Sequence, residues 1–270
     1  MLAILVVLTG YFGYLVYTQH TPCVTPITYS LAAYDERFGL PKEEVERNLL
    51  KAAAVWNKAL GMDALVQSSE PVLPVSFVYD ETQRTVDSIS SIENKIDAQK
   101  EELKVIANKY ANLKEQYDAL NNQGKATKEM YDELTRLHAQ YEDLRLKINS
   151  DVKRGQRLPA GEIEEGKYVS DSEGTRIYIY AFQDKTELMR TLIHEFGHSL
   201  GLKHVENEDS IMYPKSNESQ SIALSPEDVA ELTKACAESR SSVLGRLYLL
   251  SEPILKQIEP LIQSLSGLAK

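Results

Sequence analysis

An α+β fold carrying an inserted antiparallel α-helical hairpin is predicted by three observations. Short β-rich runs, ITYSL (27–31), PVSFVYD (74–80) and RIYIYAF (176–182), are spaced along the chain. Segments of helical apolar period lie between and after them. A long heptad stripe with one turn signal separates the second run from the third.

The run at 27–31 alternates and is β-rich, so it reads as a strand. Pro41, Lys42, Glu43 and Glu44 then open a helix, proline and acids both suiting a first turn. Val45, Leu49, Ala52, Ala53, Trp56 and Leu60 give it one apolar face, and Gly61 ends it. The runs at 74–80 and 176–182 are two further strands, and residues 162–170 can hold a short edge strand. A helix is expected over 186–202, closed by Gly201. Ser225, Pro226, Glu227 and Asp228 supply an N-cap, a first-turn proline and early acids for another, continuing through Val229, Leu232 and Cys236.

Between these lies a region different in kind. Ile89, Ile92, Ile96, Gln99, Leu103, Ile106, Tyr110, Leu113, Tyr117 and Leu120 recur by threes and fours. After a turn at 121–124 the stripe resumes with Thr127, Met130, Leu134, Leu137, Tyr141, Leu144 and Ile148. Two stripes joined by a short turn make an antiparallel hairpin. The stripe can be used inside the hairpin, in self-association, or in an arch over a cleft. These uses compete for the same residues.

The chain has 270 residues and a net charge of -10. An acidic balance disfavours nucleic acid as a partner. Cys23 and Cys236 are too far apart for a local metal or redox motif, leaving one long-range disulfide or two unrelated thiols. Residues 2–17 are uncharged and apolar. At ~1.5 Å per residue they span roughly 24 Å, short of a ~30 Å hydrocarbon core. An uncleaved membrane anchor, a cleaved signal segment and a buried core helix all remain open. An exported chain meets an oxidising compartment, which favours the disulfide. Residues 241–270 are apolar at helical spacing, interrupted by Pro253 and Pro260, and read as an amphipathic helical tail.

Chemistry concentrates in the run from His194 to His204. His194 and His198, four apart on a helix, share one face and can share one ion. Glu195 lies beside the ion's open side, where it can act as general base toward activated water. Gly201 lets the chain leave the helix sharply, bringing His204 as a third nitrogen ligand. Three nitrogen ligands leave a position for water and a substrate carbonyl, the pattern of a catalytic rather than a structural Zn2+ site. Of the other two histidines, His138 reads as a solvated residue on the hairpin and His20 as structural or exposed.

The eleven-residue pattern HExxHxxGxxH, followed by Ser210, Ile211, Met212, Tyr213 and Pro214, resembles the metzincin metalloproteases and most closely their matrixin-like branch. The resemblance covers residues 23–82 and 157–238. It implies a zincin catalytic domain with a mixed twisted sheet, zinc helix and C-terminal helix. It also implies one catalytic Zn2+, a polypeptide substrate, Met212 as the floor of the metal site, and Tyr213 and Pro214 at a substrate pocket. Residues 161–169 would be the edge where substrate adds as a strand. The sequence departs from the matrixin pattern at Val205, where serine is common. It shows no prodomain with a latency cysteine. The hairpin stands where matrixins carry a loop for structural zinc and calcium, so no second zinc is expected and calcium is left open.

The expected organisation is a membrane anchor or signal segment (1–19), a catalytic domain (23–82 and 157–238), the hairpin (83–153) and the tail (241–270). The leading function is a zinc endopeptidase, membrane-anchored with an extracytoplasmic catalytic domain or secreted. The rival is a membrane-anchored coiled-coil interaction protein with a degenerate protease domain.

Overall fold

The computed structural model describes residues 22–158, 163–215 and 221–242. The expected N-terminal anchor or signal, His20, and nearly all of the C-terminal tail lie outside the described residues. Among those described, no helix is long and apolar enough to cross a membrane.

The chain divides into two compact units, one formed by Met1–Tyr79 with Glu164–Lys270 and the other by Asp80–Ile163. In the first, five strands form a mixed sheet: β1 (Ile27–Tyr34), β2 (Leu65–Gln67), β3 (Leu73–Phe77), β4 (Gly166–Asp171) and β5 (Gly174–Ile179). Their order is β2-β1-β3-β5-β4. The first four in that order run parallel, and β4 pairs antiparallel with β5 as the edge. This is the α+β architecture that the strand and helix periods predict.

Helix α1 (Lys42–Leu60) follows β1. It begins one position later than expected, with Pro41 as its N-cap, and ends where Gly61 takes a left-handed φ of 65°. Its apolar face buries Val45, Leu49, Ala52, Ala53 and Trp56. The Trp56 indole N–H donates to the Ile193 carbonyl at 2.8 Å, tying α1 to the helix that carries the histidines. Strand β2 was not legible in the sequence. It has three residues, and the Asn57 side chain bonds the backbone of Ala64 and Leu65 to place it.

The edge strand begins later than expected, at Gly166 rather than 161 or 162. Its partner Gly174 turns the chain with φ 116°, a conformation open to glycine. Helix α4 (Lys185–Ser199) stops short of the expected residue 202. The Gly201 N–H donates to the His198 carbonyl and the Leu202 N–H to that of Gly197, a left-handed closure that ends the helix two residues before Gly201. Helix α5 (Pro226–Ser241) opens with a Ser225–Asp228 capping box.

The second unit holds α2 (Glu81–Asn121) and α3 (Lys128–Gly155). Stripe residues Ile92, Leu134, Leu137 and Leu144 are buried within it. Thr127 is not a stripe residue: its exposed side chain caps α3 by accepting from the Met130 N–H. The polar position Gln99 meets Asp151, which also pairs with Lys95 at 2.9 Å. His138 is exposed, its ring near that of Tyr110.

Cys23 and Cys236 form a disulfide that joins the first described turn to α5 across 213 residues. Both are buried. Closing so long a loop restricts the unfolded chain. Replacing both cysteines with serine is expected to lower unfolding stability by about 2–5 kcal/mol. Urea denaturation of the oxidised and variant proteins checks this; matching midpoints would contradict it.

Candidate metal centre

Helix α4 is held at its start by Asp184, whose carboxylate accepts from the Thr186 and Glu187 N–H groups. One face is buried through Leu188, Leu192 and Phe196. His194 and His198, one turn apart, point to a common spot, and the chain reversal at Gly201 (φ 92°) brings His204 to it. The three Nε2 atoms lie 3.2, 3.1 and 3.1 Å from one another.

Two of the imidazoles are fixed from behind. His194 Nδ1 lies 2.7 Å from the Ile211 carbonyl and His198 Nδ1 lies 2.9 Å from that of Leu202. A carbonyl only accepts, so each Nδ1 carries the proton and each Nε2 presents a lone pair. Burial pushes His194 down to about 3 and also lowers His198, keeping both rings neutral near pH 7. Converging lone pairs at this spacing repel unless a cation lies among them. Zinc–nitrogen bonds of about 2.0–2.1 Å fit a triangle of this size.

Glu195 faces the opposite problem. It is 4% exposed, and its Oε2 is buried without a hydrogen-bond partner. Burial pushes its carboxyl up to about 8. An orphaned carboxylate oxygen and three converging nitrogens are mutually consistent with one cation site. An ion there would favour the charged carboxylate again.

Met212 is fully buried beneath the helix. A Cβ at Gly197 would overlap the Met212 sulfur and stand 2.9 Å from Trp56 Cζ2. Gly197 is therefore the gap through which Met212 and Trp56 approach α4. The turn carrying Met212 is anchored by Asp228, a residue that the sequence reading used only as a helix-start acid. Its carboxylate accepts from the Ser210 hydroxyl and from the N–H groups of Ile211, Met212 and Ser225. The only sequence signal was its third position in α5, behind the Ser225 cap. The Val205 N–H donates to the Met212 carbonyl, linking the turn to the residue after His204. Tyr213 is half-buried and Pro214 exposed at the end of this turn. Cys23 and Cys236, bonded to each other, lie outside the metal cluster.

Burial raises the Asp228 pKa, and the hydrogen bonds from Ser210, Ser225, Ile211 and Met212 outweigh it, leaving a net lowering. Its stabilisation is complete above an unfolded carboxyl pKa of ~3.9 and is lost as pH falls through the lower folded value. Asp228→Ala is expected to cost about 3 kcal/mol, by stranding buried donors. Acid unfolding of this variant is expected to lose the Asp228 step below pH ~4. An unchanged stability profile would contradict the anchoring role. Gly197→Ala is expected to cost about 1–3 kcal/mol by overpacking against Met212 and Trp56, measurable as a lowered Tm.

A family model described as Matrixin matches residues 19–235. Matrilysin from Felis catus is 49% identical over 41 residues, covering 14% of this chain and 16% of that relative. The matched stretch thus spans far less than two thirds of the relative's length. The family match, in contrast, runs through both parts of the sheet unit, α4 and most of α5. With a mixed sheet behind a three-histidine cluster, the chain belongs to the matrixin family.

Proposed function

We propose that this chain hydrolyses peptide bonds at the His194–His198–His204 centre, with Glu195 as general base. The observation that carries the reading is the convergence of the three histidine Nε2 atoms, with the unpartnered Oε2 of Glu195 on the same helix as two of them. A zinc ion held by the three histidines would supply a Lewis acid that acidifies water and polarises a carbonyl. Glu195 takes the proton released as water attacks the peptide carbonyl carbon. It then returns that proton to the amine nitrogen as the C–N bond breaks. The products are a carboxylic acid and an amine. A covalent cysteine route has no support, because both cysteines are tied up in the disulfide.

Met212 is assigned to the floor of the centre, and Tyr213 and Pro214 to the pocket beyond the scissile bond. An extended polypeptide would pair with the free edge of β4. The buried disulfide favours action in an oxidising, extracytoplasmic setting, with residues 1–19 serving as leader or anchor. The complete catalytic set argues against a non-enzymatic interaction protein.

Glu195→Ala is expected to keep one zinc per chain while cleavage of an unfolded polypeptide falls by about 10²–10⁴-fold. His198→Ala is expected to lose the metal itself. Chelation should abolish cleavage and zinc should restore it. Metal analysis and a cleavage assay read these outcomes. A metal-free wild type, or cleavage that persists without Glu195, would sink the mechanism.

A further inference from the structure

Edge strand β4 comes close to Glu195 at Gly166. At Gly166, an added Cβ would lie 2.7 Å from Thr191 Cγ2, 3.0 Å from Glu195 Oε1 and 3.1 Å from Glu195 Cγ. No φ constraint is involved: Gly166 is not among the positive-φ residues, so the requirement is one of space alone. Tyr168 lies two positions on, its side chain on the same face of β4 as the Gly166 position. The Tyr168 ring also stacks near His198, with centroids 6.5 Å apart and planes 21° from parallel.

We propose that Gly166, having no side chain, forms the socket into which the Glu195 carboxylate fits, making β4 a positioning element for the general base. The bare Cα leaves room for Oε1 and Cγ of Glu195. The other oxygen, Oε2, has no hydrogen-bond partner and is left for the proton it must carry. The proposal rests on the reading of Glu195 as general base.

The test is Gly166→Ala, assayed with the best-cleaved member of a quenched-fluorophore peptide library. The new methyl must push the Glu195 carboxylate by a few tenths of an ångström. The expected result is a kcat about tenfold lower, with KM and zinc content unchanged. A purely structural role for Gly166 would move stability, KM or zinc content together. Thr191→Ser, which keeps the hydroxyl and removes Cγ2, separates the two contacts and restores room if Gly166→Ala alone folds poorly. Thr191→Ser alone is expected to keep wild-type kcat. The Gly166→Ala/Thr191→Ser double variant is expected to regain stability and retain the kcat deficit. A wild-type kcat in the double variant, or in Gly166→Ala alone, overturns the socket. Wild-type protein that cleaves no library peptide overturns the hydrolase reading first, and the socket with it. Cleavage by wild type, lost in Glu195→Ala, keeps the two failures apart.

Discussion

Holding three imidazole nitrogens within 3.2 Å of one another is the constraint around which the sheet unit is arranged. Lone pairs at that distance repel, and each ring must be held from behind by something that does not itself need the site. Two backbone carbonyls do this for His194 and His198. One of them, from Ile211, belongs to a turn that in turn hangs on Asp228. The helix under the site is approached by Met212 and Trp56 at Gly197, where the absence of a side chain permits contact with the backbone. The site is therefore supported from α1, α5 and the turn between α4 and α5 as well as from α4 itself.

This division also explains what could be read from sequence. The histidine cluster was legible because helical period and one glycine dictate the relative position of its members over eleven residues. The start of α5 was legible because serine, proline and acids have fixed meanings in a first turn. Asp228 looked like another such acid. Its second task depends on a turn eighteen residues away along the chain, and no local pattern encodes that. Gly166 was equally silent, since its role is to leave space for Glu195, which arrives from another element. Strand β2 depends on Asn57, a side chain of the preceding helix. The helix end was overestimated because the apolar period continues to Leu202 while the hydrogen bonds at Gly201 close it earlier. Local signals carried the elements, and the contacts between elements carried the rest.

The hairpin shows the same logic in a simpler setting. Its stripe buries Ile92, Leu134, Leu137 and Leu144 inside its own unit. A polar layer of Lys95, Gln99 and Asp151 interrupts the apolar seam. An acid buried there is satisfied only when its two partners lie opposite, so the layer penalises a helix slipped by one turn. The sequence showed Gln99 as a gap in the stripe; its partner sits on the other helix, beyond the last apolar stripe position.

The disulfide has a consequence for how such a molecule ages. Cys23 precedes β1 and Cys236 lies in α5, so nearly every described peptide bond falls between them. The hairpin turn at Gly124 is exposed and lies within that span. A chain nicked there would not fall into two molecules. Its halves, one carrying β1 and α1 and the other carrying the histidines, would stay joined by a sulfur–sulfur bond and by the sheet they share. For a protein sharing its surroundings with peptidases, backbone continuity and molecular integrity become separate properties, and only a reducing environment would make them one again.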